Sequence, residues 1–193
     1  MKLNKIFFDL DLNWINNINV NLSAVERRTS TLVKRRSVKK EYQASWLLKA
    51  ITLIDLTTLS GDDTFGKVDR LCKKALNPIA NNILSKLEIN EDAVKVGAVC
   101  VYHHLVSQAK NQLNGQLPIA AVSTGFPAGL SSFSTRKKEV VDSIKSGANE
   151  IDIVINRGFV IQNNWKKLYD EVKSFKLAAN KTKIKAILGV GDL

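Results

Sequence analysis

The chain has 193 residues, 45% of them hydrophobic and 24% charged, a composition that fits one folded domain with an ordinary core and excludes a disordered or fibrous chain. Net charge is +11, and residues 1–50 alone contribute +6, so the basic excess peaks at the start. No run reaches the length of a membrane-spanning helix, Asp9 and Asp11 interrupt any signal-type apolar core, and Cys72 and Cys100 have neither zinc nor disulfide spacing, so a cytoplasmic protein outside the membrane is expected.

Residues 1–50 read as a helical extension and 51–193 as the main fold. Ser23, followed three residues later by Glu26, has the spacing of a capping box. A second helix is predicted from Ser37 through Lys49, with Lys39, Lys40 and Glu41 toward water and Trp46, Leu47 and Ala50 turned inward. The basic clusters Arg27-Arg28, Lys34-Arg35-Arg36 and Lys39-Lys40 come with no nucleic-acid-binding motif and no aromatic stacking platform. A solvated helix face is therefore expected, and a nucleic-acid partner is not.

Beyond the extension, strands and helices alternate. Nearly continuous apolar runs predict strands at Ile51–Thr57, Val96–Tyr102, Ile119–Thr124, Glu150–Asn156 and Ile184–Leu188. Helical spacing falls between them at Thr64–Ala75, His104–Leu113, Thr135–Ser146 and Trp165–Ala179, and Asn77-Pro78 ends one helix before a short one at Ile83–Leu87. That alternation builds a parallel sheet through right-handed crossovers, so the class is α/β.

Strand parity then sorts the polar residues. Asp152 lies in a run that is otherwise aliphatic, and a carboxylate there loses hydration unless it is paired or hydrogen-bonded. Either a structural ion pair or an acid/base with a perturbed pKa satisfies that condition. Alternation places Asp152 with Val154 and Asn156 on one face, and the same parity collects Asp55, Thr57, Cys100, Tyr102, Ala121, Ser123 and Lys185 on it. Ile54, Leu56, Val99, Val101, Val122, Ile153, Ile155, Ala186 and Leu188 are left to pack on helices, a division that suits a βα barrel.

In such barrels reactive groups gather at the carboxyl ends of the strands. Thr57–Thr64, Gly125–Gly129 and Asn156–Gly158 are the loops in that position, although Ser60, Asp62 and Asp63 also suit an ordinary helix cap. Lys185 beside Asp152 suggests amine chemistry, and by spacing alone Lys185 is the candidate nucleophile; the alternative is that it only neutralises Asp152. Gly189-Val-Gly191 is a weak nucleotide-loop signal. Five strands also suit a flavodoxin-like binding domain.

Long ordered motifs carry a family resemblance across nearly the whole chain: Trp46-Leu-Leu-Lys-Ala50, Ile54 to Thr64, Ala98-Val-Cys-Val-Tyr102, Thr124-Gly-Phe-Pro-Ala-Gly129, Glu150 to Arg157 and Leu168-Tyr-Asp-Glu171. They resemble animal-type deoxyribose-phosphate aldolase, and the basic preface looks like that family's extension. The resemblance implies a TIM (β/α)8 barrel, with about five of its eight strands within these residues. It also implies reversible cleavage of 2-deoxy-D-ribose 5-phosphate to D-glyceraldehyde 3-phosphate and acetaldehyde through a lysine Schiff base, in deoxyribose phosphate catabolism and with no metal or other cofactor. Small phosphorylated sugars and aldehydes are the implied partners, with a homo-oligomer a further expectation.

By the same resemblance Asp152 matches the proton-relay aspartate. Asp55, Thr57 and Cys100 match residues lining the substrate pocket, and Lys185 matches a supporting lysine on strand five. The Schiff-base lysine belongs to a Lys-Thr-Ser-Thr-Gly motif on a sixth strand and a second relay lysine to a seventh, before Pro-Ala-Gly-Gly; neither motif occurs in the 193 residues. The expectation is a C-terminally truncated family member, poorly stable and inactive alone, with a role by interaction as the alternative. Departures from the family pattern fall at Tyr102-His103, where proline usually follows the tyrosine, and at Gly189-Val190, where a threonine usually precedes the glycine.

Overall fold

The computed structural model describes residues 8–35 and 37–193, which divide into two units, one ending at Leu47 and one running from Leu48 to Leu193. The first unit holds α1 (Leu12–Asn16), α2 (Leu22–Leu32) and most of α3 (Lys40–Ile51). None of these helices buries a residue within the chain. The cap of α2 is Asn21, whose side chain accepts from the Ala24 amide, and not the expected Ser23, which already lies inside the helix. Trp46 and Leu47 are exposed, contrary to expectation. The less exposed line of α3 runs through Ala44, Leu48 and Ile51, so the helix is rotated from the phase in which Trp46 and Leu47 face inward.

The second unit begins with β1 (Asp55–Thr57), α4 (Phe65–Leu76) and α5 (Asn81–Lys86), followed by β2 (Ala98–Tyr102), α6 (Val106–Leu113) and β3 (Ile119–Ser123). It continues through α7 (Phe133–Ser146), β4 (Glu150–Val154), α8 (Arg157–Ile161), α9 (Trp165–Ala179) and β5 (Lys183–Ile187). All pairings are parallel and the order is β1-β2-β3-β4-β5. A doubly wound flavodoxin-like sheet would reverse direction after its first strand, so this order excludes that alternative. A sheet that adds each strand on the same side is what a barrel segment requires.

One face of the sheet carries the main core. Val99, Val101, Ile119, Ala121, Ile151 and Ile153 meet Val68, Cys72, Leu105, Ala109, Leu113, Val140 and Phe175 from the helices, all nearly inaccessible to solvent. The opposite face is thinner: Cys100, Ala120 and Val122 pack with Leu59, Tyr102, Phe126 and Ile187. This corrects the parity of β3. Cys100 pairs with Ala120 and Val122 with Asp152, so Ala120 and Val122, not Ala121 and Ser123, share the face of Asp152.

Several strand ends also move inward. Residues expected to open the first strand complete α3 and a turn, leaving only Asp55–Thr57 paired. Thr124 leaves β3 with φ +62°, and its hydroxyl bonds both the Val154 carbonyl (3.1 Å) and the Val154 amide (2.7 Å), extending the β3–β4 connection by a side chain. Asn156 does not continue β4; it caps α8 through the Gly158 amide. The cap of α4 is Thr64, while Asp63 secures the preceding loop by accepting from Thr58 Oγ1 (2.8 Å) and the Ser60 amide (3.0 Å).

Candidate active site

The concave face of the sheet gathers its charge around Lys185. In register, Lys185 stands opposite Asp152 and Lys183 opposite Glu150, because β5 runs parallel beside β4. Lys185 Nζ lies 3.1 Å from Asp152 Oδ1 and 3.3 Å from Glu150 Oε2, and it donates to Asp55 Oδ2. Asp55 belongs to β1, at the far end of the sheet from β5. The sheet therefore curls enough for one lysine side chain to join its first and last strands.

Cys100 and Thr57 complete the group. They are register partners on β2 and β1, and Cys100 Sγ points at Asp152 Oδ2 over 3.7 Å. The Thr57 hydroxyl donates to the Asp55 carbonyl within its own strand (2.7 Å). All five residues singled out from the sequence thus converge on one face. Glu150, read only as the start of a strand, is the member that sequence reasoning missed. Its position two residues before Asp152 was the available signal, because i and i+2 share a strand face.

The electrostatics follow from partial burial. Desolvation raises the Asp152 pKa above its ordinary value; the Lys185 charge opposes that rise without cancelling it. Burial also works against the Lys185 ammonium, but its bonds to Asp55 and Asp152 outweigh this and leave its pKa above that of an ordinary lysine. Burial, then the Asp152 charge, pushes the Cys100 thiol up to about 12. The result is a fixed ammonium, a carboxyl whose pKa is raised above its ordinary value, and an inert thiol.

Loops at the carboxyl ends of the strands are anchored independently. Glu139 of α7 accepts the Gly125 amide at 2.8 Å through one oxygen and lies 3.1 Å from His103 Nδ1 through the other. Behind them, Arg136 of α7 donates to the Ser131 carbonyl (3.1 Å) and to Glu171 of α9, a pair almost fully buried. Among the described residues no three His, Cys, Asp or Glu side chains converge in a way that would hold a metal ion, and no helix is long and apolar enough to cross a membrane.

A curled, sequentially ordered parallel sheet with a cluster of ion pairs on its concave face defines the class: part of a β/α-barrel fold. The chain belongs to the DeoC/LacD family of aldolases, whose model matches residues 49–191. It is 48% identical over 188 residues to the deoxyribose-phosphate aldolase of Mus musculus, covering 96% of this chain and 59% of that protein. The chain thus spans about three fifths of the length of that relative. Among solved structures, the aldolase QR15 superposes with a TM-score of 0.60 at 23% identity, over 74% of this chain and 57% of that one. The tetrameric deoxyribose phosphate aldolase of Aeropyrum pernix gives 0.53 at 19%, over 76% and 55%.

Proposed function

We propose that this chain carries the strand-one-to-strand-five part of a deoxyribose-phosphate aldolase site, acting on 2-deoxy-D-ribose 5-phosphate in a cytoplasmic homo-oligomer. The observation that carries the reading is the Asp152–Lys185–Asp55 constellation on the concave face of a DeoC/LacD-family sheet. Asp152 has the environment of a group that takes up and returns a proton: a carboxyl with a raised pKa beside a fixed positive charge. Lys185 stays protonated and supports it. Asp55, Thr57 and Cys100 form the wall against which the sugar lies.

The nucleophile of this reading is a lysine outside the 193 residues, carried by a Lys-Thr-Ser-Thr-Gly segment. Bearing on this is the clamped state of Lys185, since an amine must lose its proton to attack a carbonyl. The test joins that segment, with the one bearing Pro-Ala-Gly-Gly, to this chain as a hybrid. The hybrid is expected to turn over deoxyribose 5-phosphate and to be trapped by borohydride with acetaldehyde, while residues 1–193 alone do neither. A folded hybrid that is never trapped would sink the aldolase reading in favour of a non-catalytic, interacting role. Trapping of the 193-residue chain on Lys185 would overturn the assignment of the nucleophile.

A further inference from the structure

Glu150 has no part in the chemistry just described, yet it is held as firmly as the residues that do. Its side chain is 16% exposed, and its two oxygens are divided between two lysines. Oε1 lies 3.2 Å from Lys183 Nζ and Oε2 lies 3.3 Å from Lys185 Nζ. Lys183 is at the rim of the sheet and 79% exposed; Lys185 reaches across the concave face. Lys185 consequently has three carboxylates within ion-pair distance, Asp55, Glu150 and Asp152, and an ammonium has three N–H donors to offer them.

We propose that Glu150 is a positioning residue: by engaging Lys185 from the start of β4 it holds that ammonium between Asp55 and Asp152 and denies it the role of nucleophile. What Asp152 does rests on the aldolase reading; the clamp itself does not. Its negative charge, 3.3 Å from Nζ, favours the protonated form of Lys185. Neutralising Glu150 therefore makes Lys185 easier to deprotonate. A Glu150 that served only the rim pair with Lys183 would have no such effect.

The test is reductive methylation of the 193-residue chain with formaldehyde and cyanoborohydride at a fixed alkaline pH, each lysine followed by peptide mass spectrometry. In Glu150→Gln the Lys185 rate is expected to rise about threefold to tenfold, since one pKa unit is a tenfold change in free amine. Lys183→Met, which removes only the rim partner, leaves the Lys185 rate unchanged. Glu150→Asp, which keeps the charge but withdraws the oxygen by one methylene, gives a smaller rise and serves if the glutamine variant fails to fold. A Lys185 rate that is the same in folded Glu150→Gln and the unsubstituted chain, or that rises equally in Lys183→Met, overturns the proposal. Failure of the aldolase reading is seen elsewhere, as absence of turnover in the hybrid, and leaves these amine rates untouched.

Discussion

At Asp152 burial and a neighbouring lysine pull in opposite directions, and burial wins. The folded pKa lies above the unfolded one, so the stability tied to the protonated carboxyl is full below the ordinary value of 3.8 and is lost as pH rises through the folded value. Asp152→Asn removes that loss. The variant is expected to melt at a higher temperature than its parent at neutral pH, with the gain vanishing in acid, where both states are protonated. In the hybrid the same substitution lowers turnover by about 10²-fold or more, the contribution typical of a positioned proton-transfer group. A neutral-pH melting temperature unchanged or lowered would argue against a desolvated carboxylate here.

Cys100 obeys the same sign. Its pKa rises from 9.0 to about 12, so stability present below pH 9 drains away as pH climbs toward 12. Cys72, raised to about 11 by burial and then by Asp69, adds to that alkaline loss. Iodoacetamide at about pH 8 should leave both thiols unmodified in the folded chain, since the thiolate is the reactive form. Cys100→Ser should flatten the alkaline stability curve without abolishing its slope.

Among the elements, α7 and α9 are tied by the buried Arg136–Glu171 pair, with Arg136 also 5.4 Å above the Phe175 ring. Glu171→Ala strands a buried guanidinium and is expected to cost about 3–5 kcal/mol, whereas replacing both partners by apolar residues of similar size comes much closer to neutral. Urea unfolding of the two variants measures the difference. This pair also shows where sequence reading stops. The spacing over Trp165–Ala179 marks α9 to the residue, because the amphipathic period is local. Which two charges meet between helices depends on packing, and no local period encodes it.

Strand centres, and the ends at Thr57, Tyr102, Ile119 and Glu150, were legible for the same local reason, and the other ends were not. Apolar content cannot distinguish the last paired residue from Thr124, whose side chain takes over the bonding, or from Asn156, which starts a helix. Parity in β3 failed because face assignment needs a register, and register is set by partners. The site was more readable than the fold around it: Asp55, Cys100, Asp152 and Lys185 are conspicuous as polar or reactive residues in apolar runs. Glu150 escaped because the parity of β4 was followed only from Asp152 toward Val154 and Asn156, and not back by two residues.

For the whole molecule the exposed edges set the behaviour. Within the described residues β1 and β5 each pair on one side only, and Leu53, Ile54 and Leu188 beside them are exposed. Unpaired parallel edges flanked by apolar side chains invite further pairing. The 193-residue chain is therefore expected to associate as its concentration rises and to bind a hydrophobic dye, both falling in the hybrid. Sedimentation velocity over a concentration series checks this; a monomer with no dye binding at every concentration would contradict it.

The contact between Lys185 and Asp55 bridges 130 positions of sequence. Such a link has no meaning in a partly ordered chain, since it exists only after every intervening strand has taken its place and the sheet has bent. It reports closure of the sheet: where only β4 and β5 have paired, Lys185 already lies beside Asp152 and Glu150, and the Asp55 contact is added only when β1 is brought across from the opposite edge.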